Sequence, residues 1–299
     1  MVTVRVDPKT FRLRASDVAR AITRRTVLVV ASAPGFPHGL VDDLEGIAAV
    51  THRRGVCLHV DACLGGFFLP FARRAGRAPN LRPFDFSLRG VTSMSVDTHK
   101  FGMAHKGTSV VLYRSPEIRR HQFTAITDWS GGLYISPGMA GSRSGALIAT
   151  AWAAMLYHGS RGYEAIASQL LDARDVLVAG IRAVPGAEVI GEPEMSVVAF
   201  RSVDRAVDIY RVHEILTRKG WHLNALQRPP ALHMCLTARS AGSAAALAHD
   251  VSEAFATVRA QPGAGSGGMA PVYGMAGTLP DRGAVADVLV AYQEVVLEV

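Results

Sequence analysis

Lysine is the scarce residue of this chain. Lys and Arg together number 32 among 299 residues, yet only Lys9, Lys100, Lys106 and Lys219 are lysines, which leaves 28 arginines. An arginine keeps its proton and forms no imine, whereas a lysine can lose its proton and condense with a carbonyl. Any chemistry that needs an amine therefore has four candidates. Cysteine is scarcer still: Cys57, Cys63 and Cys235 are odd in number and lack framework spacing, which excludes a disulfide scaffold and suits a reducing cytoplasm. Acidic residues number only 25, so the formal net charge is +7. The arginines nevertheless occur as scattered pairs such as Arg24/Arg25, Arg73/Arg74 and Arg119/Arg120, with no basic stripe interleaved by aromatics, and no nucleic-acid partner is expected. No apolar run approaches the ~18 to 20 residues of a membrane span, and MVTVRVDPKT carries no signal-peptide core. The expectation is a cytoplasmic protein without a transmembrane segment.

What is present is ample material for packed domains, with 49% hydrophobic and 19% charged residues. Residues 16–24 read as a helix with Ser16 as its N-cap, and TVLVVASA (26–33) reads as a buried strand closed by the PGFPHG loop. Asp42 and Asp43 open a second helix that carries Leu44, Ile47 and Val50 and ends in Arg53, Arg54 and Gly55. The strand 56–60 follows directly. This strand, helix, strand order predicts a parallel sheet. GVTSMSV (90–96) and TSVVLYR (108–114) predict two more strands on either side of DTHKFGMAHKG, and helices are expected over 146–157 and 163–184. EMSVVAF, DIYRVHEILTRKG, ALHMCLT and SAAALAHDVSEAFATVRA then alternate strand and helix, and the PGAGSGG stretch (262–268) precedes a final amphipathic helix. The expected architecture is α/β, with domains over 1–160 and 161–299. Only four strands precede that boundary, fewer than a doubly wound sheet usually holds.

The segment CLHVDACLGGF sets Cys57, His59, Asp61 and Cys63 at intervals of two, which on a strand puts all four on one face. Three readings are open for them. They could ligate a metal, since thiolate, imidazole and carboxylate all bind zinc, although consecutive strand positions converge poorly on one ion. They could be polar residues of a core strand without further role. Or Asp61 stands at a strand's carboxyl end, where open α/β sheets bind ligands, with Lys100 following the end of the next visible strand. A carboxylate and a lysine so placed are what pyridoxal phosphate requires: the lysine takes the aldehyde, and the carboxylate keeps the pyridine nitrogen protonated.

Longer strings carry the third reading further. HVDACLGGF, VDTHKFGMAHKGTSVVLYR, TDWSGGLYISPGMAGSRSG and VYGMA closely resemble the sphingosine-1-phosphate lyases, within the pyridoxal-phosphate-dependent group II decarboxylase family of fold type I. The resemblance runs from PGFPHG to the C-terminal YGMA region. It implies a partial cofactor-binding large domain with a mainly parallel sheet, followed by a smaller α/β domain, and pyridoxal 5'-phosphate as the cofactor, with no metal. It implies that Lys100 holds the aldehyde, that Asp61 pairs with the pyridine nitrogen, and that His99 contacts the phosphate region. Lys106 would clamp substrate phosphate or move a proton, and Gly141, Ser142 and Arg143 would face the partner subunit of a homodimer and help hold phosphate. His59 and Cys63 become neighbours of Asp61, with His59 counted among the cofactor-binding residues. The implied reaction is retro-aldol cleavage of a phosphorylated long-chain base to phosphoethanolamine and a fatty aldehyde. An amino-acid decarboxylase of the same family, or an inactive truncated relative, is the alternative. The family's phosphate-cradling turn, its ring-stacking histidine and its N-terminal segment are expected upstream of the first residue, so the chain alone is expected to bind the cofactor weakly.

Overall fold

The computed structural model describes residues 1–261 and 281–297 in two compact units. One comprises Met1–Asp172 together with Gly191–Met195, and the other comprises Ala173–Ile190 and the chain from Ser196 onward. In the first unit, helix α1 (Ala15–Ala21) precedes strand β1 (Leu28–Ser32), helix α2 (Leu44–Arg54) and strand β2 (Cys57–Asp61). A 3-10 turn at Gly65–Phe67 and helix α3 (Leu69–Arg74) lead to β3 (Val91–Val96) and β4 (Val110–Tyr113). Helix α4 (Pro116–Arg119), the hairpin of β5 (Thr124–Ile126) and β6 (Tyr134–Ser136), and the part of the helical run α5 (Gly145–Arg182) up to Asp172 complete the order, the rest of α5 belonging to the second unit.

The main sheet runs β1-β2-β3-β4, with the first three strands parallel and β4 antiparallel to β3. The physical reason lies in the connections. Helices occupy the crossovers on either side of β2, whereas residues 97–109 hold only turns and send the chain straight back. Helix α2 turns Leu44, Ile47, Ala48 and Val50 into the core, each full burial of a Leu or Ile being worth about 1.5–3 kcal/mol. Its ends follow from the residues: the Asp43 carboxylate accepts the Gly46 N–H at 3.4 Å, and Gly55 closes the helix at φ 64°, a left-handed conformation open to glycine.

Several expectations are corrected here. Helix α1 starts one residue early, after Arg14 and without any side-chain cap, so Ser16 sits inside its first turn. Asp42 is no part of α2; its two oxygens accept Leu13 N–H at 2.7 Å and Ser32 N–H at 2.8 Å and tie the segment before α1 to the end of β1. The two helices expected over 146–157 and 163–184 are present: α5 consists of two helices joined across Gly159, whose φ 54° and ψ −175° are not helical. The three-residue strands β5 and β6 escaped the sequence reading because they are too short to show a period.

The second unit carries β7 (Ala187–Val189), β8 (Val197–Ser202), helix α6 (Ile209–Arg218), β9 (Asn224–Gln227), β10 (Pro230–Cys235), helix α7 (Ala244–Ala260) and helix α8 (Arg282–Leu297). Its sheet runs β7-β8-β10-β9 and is antiparallel throughout. Phe200, Leu232, Val212, Leu216, Val251 and Phe255 are fully buried in its core. The PGAGSGG stretch and the VYGMA string lie outside the described residues.

Candidate active site

Strand β2 buries Leu58 and Val60 completely, so alternation turns Cys57, His59 and Asp61 to the opposite face. Cys63 lies past the end of the strand, in the turn that follows. The four-residue face expected from spacing therefore holds three. No cluster of three His, Cys, Asp or Glu able to hold a metal ion occurs among the described residues.

The register of β3 against β2 decides what faces Asp61. Leu58 pairs with Val91, but after an irregularity His59 pairs with Ser93 and Asp61 with Ser95. Thr92 is the inserted residue, and its Oγ1 donates to the Leu58 carbonyl at 2.8 Å. One extra residue inverts the facing of everything after it, so Ser93 and Ser95 share the face of His59 and Asp61 while Met94 and Val96 go to the core. Asp61 Oδ1 accepts the Cys63 N–H and the Ser95 hydroxyl, each at 3.0 Å. The His59 ring lies between the two serines, with Nδ1 at 2.8 Å from Ser93 Oγ and Nε2 at 3.2 Å from Ser95 Oγ. Burial pulls the His59 pKa below its ordinary value, with Asp61 opposing.

Lys100 enters from the turn after β3. Phe101 anchors that turn by burying its ring edge-on against Phe68, with ring centres 5.4 Å apart, and the Tyr163 hydroxyl donates to the Gly102 carbonyl at 2.9 Å. Lys100 Nζ lies 2.9 Å from Asp97 Oδ2, and Asp97 Oδ1 accepts the Ser109 hydroxyl at 2.5 Å. Burial opposes the charge on each partner. It is outweighed for Asp97 by Ser109, Lys100 and His99, which hold the carboxyl below its usual range, and for Lys100 by Asp97 and Cys63, which hold the ammonium above its own. The Cys63 thiol lies within hydrogen-bonding reach of both Lys100 and Asp61, and burial pushes it up. Asp61 and Lys100, far apart in sequence, are thus one side chain apart in space.

The other expected residues are less gathered. His99 Nδ1 donates to the Thr108 carbonyl, and its Nε2 lies 3.8 Å from Asp97 Oδ2. Lys106 is exposed, and its side chain enters no hydrogen bond or ion pair among the described residues. Gly141, at φ 65°, Ser142 and Arg143 are exposed in the loop before α5, and among the described residues no hydrogen bond or ion pair joins them to Asp61 or Lys100. Ser93, Ser95 and Asp97 were not singled out in the sequence. Their spacing of two in SMSVD repeats the spacing of His59 and Asp61, and that was the available signal.

The profile of the pyridoxal-dependent decarboxylase conserved domain matches residues 1–203. The chain belongs to that family. Sphingosine-1-phosphate lyases of Arabidopsis thaliana and Rattus norvegicus are 51% and 40% identical to it, each over 96% of this chain and over 52% and 51% of their own length. The chain thus spans about half the length of the curated relatives it matches. Among solved structures, a sphingosine-1-phosphate lyase of Burkholderia pseudomallei superposes with a TM-score of 0.82 at 42% identity, covering 87% of this chain and 59% of the other. A glutamate decarboxylase of Lactobacillus brevis, at 21% identity and a TM-score of 0.70, shares the fold. The α/β fold expected from the resemblance is borne out.

The family's cofactor is pyridoxal phosphate, and the residues present fit it. Asp61 offers a carboxylate at the carboxyl end of a central parallel strand, and among the described residues its Oδ2 carries neither a backbone nor a hydroxyl donor. Lys100 offers the amine beside it, on a turn held by Phe101 and Tyr163.

Proposed function

We propose that the chain carries the lysine and carboxylate of a pyridoxal-phosphate-dependent carbon–carbon lyase that cleaves a phosphorylated long-chain base by a retro-aldol reaction. The observation that carries this reading is the meeting of Asp61 and Lys100 across the Cys63 thiol, in a chain 51% identical to a sphingosine-1-phosphate lyase over 286 residues. When bound, the cofactor supplies an electron sink for the pair released as the C2–C3 bond breaks. Lys100 would hold the cofactor through its aldehyde, and Asp61 would pair with the pyridine nitrogen and keep it protonated. Asp97 holds Lys100 as an ammonium until the cofactor arrives. His99, fixed through its Nδ1–H on the Thr108 carbonyl, contacts the phosphate region. Lys106 takes the C3 hydroxyl proton or clamps the substrate phosphate, and Gly141, Ser142 and Arg143 serve the phosphate site of a partner copy.

A homodimer is part of the same reading. Ile148, Trp152, Leu156 and Tyr157 on α5 are exposed apolar residues of the kind a partner covers. A content of only three cysteines in 299 residues supports the cytoplasm as its compartment. Among the described residues no helix is long and apolar enough to cross a membrane.

The test is residue-resolved. With saturating pyridoxal phosphate, borohydride reduction should fix the cofactor on Lys100 and leave the other three lysines unlabelled by mass spectrometry. The Lys100→Ala variant should lose the label and the visible absorbance, and a phosphorylated long-chain base should yield a fatty aldehyde only when Lys100 is present. Even labelling of all four lysines would overturn the assignment.

A further inference from the structure

The polar face of β2 and β3 carries more than Asp61. A carboxylate only accepts hydrogen bonds, so in the 3.0 Å contact between Ser95 Oγ and Asp61 Oδ1 the serine must donate. A hydroxyl has one hydrogen, so Ser95 can only accept from His59 Nε2, 3.2 Å away. A neutral imidazole has one N–H, and Nε2 now holds it. Nδ1 is then an acceptor, and Ser93 Oγ, at 2.8 Å, donates to it. The order of all four groups is fixed from Asp61 outward, and the Thr92 insertion brings both serines to this face.

We propose that Ser93, His59 and Ser95 form a directional hydrogen-bond relay that positions Asp61, tying Oδ1 and leaving Oδ2 as the oxygen that serves the pyridine nitrogen. This rests on the functional reading given above and extends it to three residues that act through Asp61. They are positioning residues. A carboxylate held by one oxygen cannot rotate freely, so its second oxygen meets the ring nitrogen without first paying rotational entropy. Burial keeps the ring neutral, in keeping with one donor and one acceptor nitrogen.

The first measurement needs no variant and no cofactor. Nitrogen-15 NMR of the full chain should find His59 neutral and protonated at Nε2; protonation at Nδ1 would overturn the relay. Ser93→Ala should convert that single tautomer into a mixture. With pyridoxal phosphate titrated in, Ser95→Ala should weaken its binding roughly tenfold, as expected for losing a hydrogen bond to a charged group. It should also shift the absorbance band of the bound cofactor, because the ring nitrogen holds its proton less firmly. Ser95→Thr, which keeps the hydroxyl, should restore both. Wild-type affinity and an unshifted band in Ser95→Ala would overturn the proposal. If the wild-type chain takes up no pyridoxal phosphate while His59 is protonated at Nε2, the functional reading fails and the order of the relay is supported.

Discussion

Replacing Asp97 with Asn removes the charge that pairs with Lys100 and keeps the size of the side chain. The pair is 2.9 Å long, with Asp97 12% and Lys100 36% exposed. Exposed pairs are worth about 0.2–1 kcal/mol, and the near burial of Asp97 puts this one at the upper end, about 1 kcal/mol. That favours the ammonium by about fivefold, so Asp97→Asn should raise the neutral amine at Lys100 about fivefold at neutral pH. The sign with pH follows from the two shifts. Lys100 is raised, so the pair's contribution to stability is present at neutral pH and is lost as pH climbs through the folded value of Lys100, above 10.5. Asp97 is lowered, so the contribution is also lost as pH falls through its folded value, below 3.8. The assay is acylation of lysines across pH 7–10 by a small amine-reactive ester, read by peptide mass spectrometry, with the exposed Lys106 as internal reference. Lysine scarcity makes the peptides unambiguous. An unchanged ratio of Lys100 to Lys106 labelling in Asp97→Asn would refute the reasoning.

Three further substitutions probe the scaffold around the site. Asp42→Asn removes a partly buried charge, yet both oxygens accept backbone N–H groups, so the amide leaves one donor unpaired and should cost about 1–3 kcal/mol by urea denaturation. Equal or greater stability would show that burial of the charge dominates. Gly65→Ala places a Cβ 2.1 Å from the Ala33 carbonyl oxygen and 2.7 Å from Leu69 Cδ1, which should destabilise by about 1–3 kcal/mol and lower the melting temperature. Thr92→Val deletes the bond that closes the β2/β3 irregularity and should cost about 1 kcal/mol. The same variant should broaden the His59 NMR signals if the irregularity sets their register.

Much of the frame was legible because its signals are local. Asp43 at the start of α2 and Gly55 at its end, the apolar runs of β1 and β3, and the short link that precedes β4 all announce themselves within a dozen residues. Lys100 and Asp61 were legible for a different reason: both fall where strands end, and an α/β sheet gathers its strand ends on one side. Ser95 and Asp97 were not. Each is an ordinary polar residue until its partner is known, and that partner is 34 residues away for Ser95 and only three for Asp97.

The sequence alone determined that an amine would be rare and that Lys100 would stand after a strand; it also set Cys57, His59 and Asp61 on one face, because side chains on a strand alternate. Only the tertiary structure decided which residues of β3 meet that face. The decision turns on Thr92, a single inserted residue. Without it the hydrophobic side of β3 would face Asp61; with it Ser95 donates to that carboxylate and Met94 enters the core. Alternation is a property of one strand, but register belongs to two.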